Sequence, residues 1–85
     1  MDKVNVWLRI LRNNGCRLTA PRRVILEIIA ASPRALQPLE VYQLSREKYP
    51  GIGLVTVYRT LDRLEQLGLL QRIHRKDGCH LLMPA

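Results

Sequence analysis

Up to Gly68 the apolar residues recur on one side of successive helical segments, and beyond it the rhythm shortens to that of strands. Val4, Trp7, Leu8 and Leu11 stand at i, i+3, i+4 and i+7, with Arg9 and Arg12 off that face. Asn13-Asn14-Gly15 ends this first helix, Gly15 supplying a left-handed residue at its C-terminus. Leu18-Thr19-Ala20-Pro21 opens a second. Thr19 is the expected N-cap, and Pro21 falls in the first turn, where an N–H has no intrahelical partner. Val24, Ile25, Ile28 and Ile29 form its stripe, and Arg22 and Arg23 project from its start. Ser32-Pro33-Arg34 breaks it. Pro38 begins a third helix, with Leu39, Tyr42 and Leu44 as expected core residues. After the breaker-rich turn Tyr49-Pro50-Gly51-Ile52-Gly53, a fourth helix runs from about Leu54 to Leu67. Its stripe is Leu54, Val57, Leu61, Leu64 and Leu67, and Gly68 stops it.

Leu69–His74 and Cys79–Met83 have strand length, and Arg75-Lys76-Asp77-Gly78 lies between them. Asp-Gly is the signature of a type I′ hairpin turn, which needs two residues at positive φ. A two-stranded hairpin is marginal alone, so Ile73 and Leu82 are expected to pack it on the helices. The predicted fold is mainly α with a small antiparallel β-hairpin, a winged helix–turn–helix, in one domain over residues 1–85.

On a helical wheel the polar side of the fourth helix carries Val55, Thr56, Arg59, Asp62, Arg63 and Gln66, with Tyr58 on its flank. An apolar residue, an amphipathic ring and a fork donor near a helix N-terminus suit the edges of bases. Arg fits guanine O6/N7, and apolar groups fit the thymine methyl. Thr56 suits either a phosphate contact or a cap. The bland alternative packs Val55 and Tyr58 on the preceding turn.

Charge sharpens this picture. Fourteen Lys and Arg against seven Asp and Glu give +7, and eleven of the fourteen are Arg. Residues 1–34 carry +5, residues 35–71 are neutral, and residues 72–85 carry +2, so two basic ends flank a neutral middle. Brought to one face, those ends make a footprint for a polyanion. Arg17, Arg22 and Arg23 surround the Thr19 cap, where an Arg can meet a phosphate or enter a narrow minor groove. Arg75 and Lys76 at the hairpin tip suit the same contacts. The bland alternative for all five is a wet, solubilising cation.

Eighty-five residues give one small domain with a thin core, and no apolar run approaches the roughly 18 residues of a membrane span. With no signal peptide visible and only Cys16 and Cys79, a disulfide framework is excluded and a reducing cytosol is expected. His74, Cys79 and His80 lie on adjacent strands. They offer three ligands at most, while a structural zinc wants four and residues 79 and 80 face opposite ways. No base–orienter set is readable beside either thiol, so an enzyme is not expected.

Gly15-Cys16-Arg17-Leu18-Thr19-Ala20-Pro21-Arg22 with Ile25-Leu26 resembles the opening of the second helix in the ferric uptake regulator (Fur) family. Ile52-Gly53-Leu54-Val55-Thr56-Val57-Tyr58-Arg59-Thr60-Leu61, then Leu64 and Leu67-Gly68-Leu69, resembles that family's recognition helix, with Thr-Val-Tyr-Arg its most specific mark. The resemblance implies a dimeric, metal-responsive bacterial repressor of the cytoplasm that binds AT-rich palindromic operators in double-stranded DNA. It implies base contacts by Tyr58 and Arg59, minor-groove contact by Arg17 and backbone contact by Arg22.

The family's C-terminal metal-binding dimerisation domain has no counterpart here, so the chain reads as a DNA-binding half, a monomer or weak dimer by itself. Where many members carry a metal-binding His before the third helix, this chain has Arg34-Ala35-Leu36-Gln37. Where they carry a late wing Glu it has Met83. No cofactor is therefore expected in this stretch. A divalent metal (zinc, iron, manganese or nickel) is implied for a full-length member, with peroxide sensing also open. The rival readings are a winged helix for RNA or protein, since fold does not fix function, and a small metalloprotein or thiol enzyme built on Cys79.

Overall fold

A computed structural model of the chain describes residues 2–85. It contains α1 (Lys3–Asn13), α2 (Ala20–Ala31), α3 (Pro38–Lys48), α4 (Leu54–Gln66), β1 (Leu70–His74) and β2 (His80–Pro84). None of these helices is long and apolar enough to cross a membrane. The fold is the winged helix–turn–helix that the periodicity predicts.

The helix starts follow from local chemistry. Asp2 caps α1 by accepting the Val4 N–H at 3.1 Å, and Thr19 caps α2 by accepting the Arg22 N–H at 3.4 Å. At α3 the Glu40 carboxylate accepts the Gln37 N–H at 3.0 Å and receives the Arg34 guanidinium as well. Arg34 and the Gln37 amide together pull the Glu40 carboxyl down to about 2, the arginine hydrogen bond being the larger cause. Gly15 takes the expected left-handed conformation, φ +77°.

One core is shared by all six elements, built from Trp7, Leu11, Ile25, Leu26, Ile29, Val41, Val57, Leu61, Leu64, Leu70, Leu82 and their neighbours. Several sequence expectations shift. In α2, Leu26 is fully buried while Val24 and Ile28 are only half-buried. This helix packs on α1, α3, α4 and β2, and its buried arc runs from Ile25 to Leu26 with Ile29 near its centre, which turns Val24 and Ile28 to the edge. In α3 the buried pair is Val41 and Ser45, one turn apart. Leu39, two residues before Val41 and so on the opposite side, is exposed. Leu54 is exposed too, because it begins α4 beyond the reach of the core.

β1 and β2 pair antiparallel with Ile73 opposite Leu81 and Arg72 opposite Leu82. Ile73 therefore shares a face with Leu81 and lies out of phase with Leu82. Leu82 is buried and Ile73 exposed, so only one of the two expected anchors packs on the helices. The hairpin is also secured by backbone. Leu36, just before α3, exchanges both hydrogen bonds with Leu82, at 2.9 and 2.7 Å, and so acts as a one-residue third strand. The turn is not type I′. Only Gly78 has positive φ (+86°), Gly78 N–H donates to Arg75 O, and Arg75 N–H donates to Cys79 O. This is the three-residue loop closed by a left-handed glycine. The Asp77 carboxylate accepts the Cys79 N–H, which lowers its pKa.

Two outcomes are expected. Leu82→Ala should cost about 2–5 kcal/mol in urea unfolding, and Ile73→Ala under about 1 kcal/mol; comparable losses would contradict the register. Glu40 is depressed in the folded state, so its contribution is complete above the unfolded carboxylate range, near about 4.3. That contribution is lost as pH falls from there through about 2. Glu40→Gln should remove about 1 kcal/mol at pH 7 and flatten the stability profile across that acid window. Parallel profiles for the two proteins would refute the assignment.

Candidate nucleic-acid interface

The inner side of α4 buries Val57, Thr60, Leu61 and Leu64, which turns the sequence-singled residues outward. Val55 is 61% exposed and Tyr58 42%, so neither is folded back onto the preceding turn, and Arg59 is exposed beside them. Thr56 does not cap the helix. The N-cap is Gly53, with no side-chain cap, and the Thr56 carbonyl accepts the buried Thr60 hydroxyl at 2.7 Å.

The loop from α1 to α2 presents Arg17, which is exposed. Its carbonyl accepts Nη1 of Arg22 at 2.6 Å, so one edge of Arg22 is committed within the protein. Thr19 is half-buried and holds the α2 cap, and Arg23 pairs with Glu27 at 3.4 Å across an exposed turn of helix. At the hairpin tip Arg75 and Lys76 are exposed. Arg75 has only a loose partner, Asp77 at 3.9 Å. Among the described residues, Arg17, Arg59 and Lys76 have no carboxylate within ion-pair distance.

Arg63 stands apart from the rest of that row. All three of its guanidinium nitrogens are hydrogen-bonded inside the protein, to Cys16 Sγ, Asn14 O and Gln66 Oε1. Its position one turn after Arg59 put it on the outward side in the sequence. Two of the partners that claim it, Cys16 and Asn14, lie far away in the chain, and periodicity carries no signal for them. Arg72 is likewise held by Glu65 of α4, which raises its pKa.

An open groove of about 430 Å³ runs between α4 and the hairpin, with Tyr58, Leu61, Asp62, Cys79, His80 and Leu82 on its walls. His74 and His80 face each other across the strands, rings 4.6 Å apart and edge-on, and His80 Nδ1 is buried without a hydrogen-bond partner. No three His, Cys, Asp or Glu side chains converge among the described residues.

Comparison with known proteins agrees with this architecture. Residues 13–81 match the family model of the ferric uptake regulator family. A ferric uptake regulation protein of Cupriavidus metallidurans is 44% identical over 69 residues, 80% of this chain and 48% of that protein. One from Neisseria meningitidis serogroup A is 36% identical over 79 residues, 92% of this chain and 54% of that protein. The chain thus spans about half the length of the curated relatives it matches. Among solved structures, a manganese uptake regulator superposes with TM-score 0.85 at 27% identity, over 100% of this chain and 60% of that one. The ferric uptake regulator of Pseudomonas aeruginosa with manganese superposes with TM-score 0.76 at 32% identity, over 88% of this chain and 57% of that one. By sequence and by fold, this chain belongs to the ferric uptake regulator family.

Proposed function

We propose that this domain binds duplex DNA in a sequence-selective way and catalyses no reaction. α4 enters the major groove, Val55, Tyr58 and Arg59 meet base edges, and the first-turn amides of α4 together with Thr56 face a phosphate. Arg17 reaches the minor groove or its flanking backbone, supported by Arg22, Thr19 and Arg23. Arg75 and Lys76 of the wing hold the backbone on the other side. The observation that carries this reading is the exposure of Val55, Tyr58 and an unpaired Arg59 on one side of one helix end. A merely solvated helix face has no use for that combination.

The relatives' names extend the proposal to regulation. In a protein of the relatives' full length, the domain would serve a metal-responsive repressor acting as a homodimer on an AT-rich palindromic operator. The metal is a separate matter. Two facing histidines with Cys79 beside them do not make a metal shell among the described residues. As a single domain it should bind weakly, lacking a partner to fix half-site spacing.

Selection of bound duplexes from a random pool supplies the probe. Arg59→Ala should lose about 1–3 kcal/mol on the selected duplex and relax its sequence preference. Equal losses on selected and random duplexes would reduce Arg59 to a phosphate contact. Arg75→Ala should weaken all duplexes alike and lower the slope of log affinity against log salt by about 1. An unchanged slope would take the wing out of the interface.

A further inference from the structure

Arg63 belongs by helical spacing to the row of outward cations on α4, yet its guanidinium is occupied. Nε donates to Cys16 Sγ at 3.0 Å and Nη2 donates to Asn14 O at 3.0 Å. These two nitrogens form the side edge of the planar guanidinium, so the grip on the loop is bidentate. The third nitrogen, Nη1, donates to Gln66 Oε1 at 3.3 Å on the same helix and steadies the rotamer.

The loop gripped in this way is the one that carries Arg17. Its backbone is tied to α1, because Cys16 N–H donates to Leu11 O at 2.9 Å and Gly15 N–H to Arg12 O at 3.1 Å. Its far end is tied to α2, through Arg22 Nη1 on Arg17 O. α1 packs chiefly on α2 rather than on α4. Among the described residues the Arg63 fork is therefore the direct polar link from the Arg17 loop to α4, beside the indirect tie through Arg22 of α2.

We infer that Arg63 is a positioning residue that sets the separation between the reading face of α4 and Arg17, and that it acts on duplex binding through Arg17 rather than by touching DNA. The inference rests on the duplex-binding reading above and goes beyond it. Arg63 leaves the set of direct contacts, and the Cys16 thiol and the Asn14 carbonyl become part of the device. A lysine cannot replace the fork, since it has no two donors held in one plane.

A double-mutant cycle tests this on the duplex selected by the unmodified chain, at a temperature where melting curves show every variant folded. Arg63→Ala should weaken binding about tenfold, within the range for coupled neighbouring groups, and Arg63→Lys should behave like Arg63→Ala. In the Arg17→Ala background, Arg63→Ala should cost nothing further. Losses that multiply would make Arg63 an independent contact, and full rescue by Arg63→Lys would show that charge alone suffices; either overturns the inference. Cys16→Ala keeps the charge and the helix intact, and should give a smaller loss that also vanishes without Arg17.

Amide hydrogen exchange of the free protein provides a readout that needs no DNA. Gly15 and Cys16 should exchange about tenfold faster in Arg63→Ala, with Leu61 and Leu64 unchanged. Unchanged loop exchange would overturn the inference whatever DNA does. Accelerated exchange combined with undiminished binding by Arg17→Ala would instead overturn the duplex role of the loop, and with it the action through Arg17, while leaving the mechanical tie standing.

Discussion

A single helix has to lie down on the body and stand out from it at once, and the rest of the structure depends on how α4 does both. Val57, Thr60, Leu61 and Leu64 are buried. At about 100° per residue that leaves Val55, Tyr58, Arg59 and Asp62 no inward direction. Thr60 sits in this apolar seam without penalty because its hydroxyl donates to the Thr56 carbonyl one turn back. The outward face is thus set by the core. Any packing change that rotated α4 would move every outward residue together, since they share one rigid cylinder.

Charge is distributed with a similar economy. Three of the four ion pairs among the described residues lie along the helices and the start of β1: Glu40 holds Arg34 at the start of α3, Glu65 holds Arg72 between α4 and β1, and Glu27 holds Arg23 along α2. The fourth is the loose Arg75–Asp77 pair of the wing. Exposed pairs of this kind contribute little energy, and their effect lies more in where charge remains. Arg17, Arg59 and Lys76 are left uncompensated on the loop, the helix and the wing. A net charge of +7 says only that a polyanion is welcome. Lys3, Arg9, Arg12, Arg46 and Lys48 are also without an ion pair among the described residues, so pairing alone does not single out a side.

Much of this was legible because it is periodic or local. The i, i+3, i+4, i+7 stripes of α1 and α4, the Thr19 cap and the left-handed Gly15 are all written within a few residues of where they act. The outward placement of Val55, Tyr58 and Arg59 follows from the α4 stripe alone. What stayed hidden is parity and long-range partnership. Ile73 looked equivalent to Leu82 until the pairing register put them on opposite faces. Asp-Gly suggested a type I′ turn, but Asp77 keeps negative φ and spends its carboxylate on the Cys79 N–H. The bridge from Leu36 to Leu82 and the fork from Arg63 to Asn14 and Cys16 join segments more than forty residues apart, and no window of sequence contains both ends.

Three arms therefore share one body, and each is fastened by a different force. α4 is fastened by apolar burial, the strongest and least directional of the three. The wing is fastened by Leu82 and a reciprocal pair of backbone hydrogen bonds, which fix register as well as distance. The Arg17 loop adds guanidinium hydrogen bonds at partly exposed sites, each of modest net strength but demanding in direction, to its backbone ties to α1 and the packing of Cys16 and Leu18 on the core. In the proposed complex a duplex meets all three at once, so the least secured arm bears most of the ordering cost on binding. Supplying that order in advance, with a planar fork anchored on α4, ties the position of Arg17 to a helix that is itself held by the core through Val57, Thr60, Leu61 and Leu64.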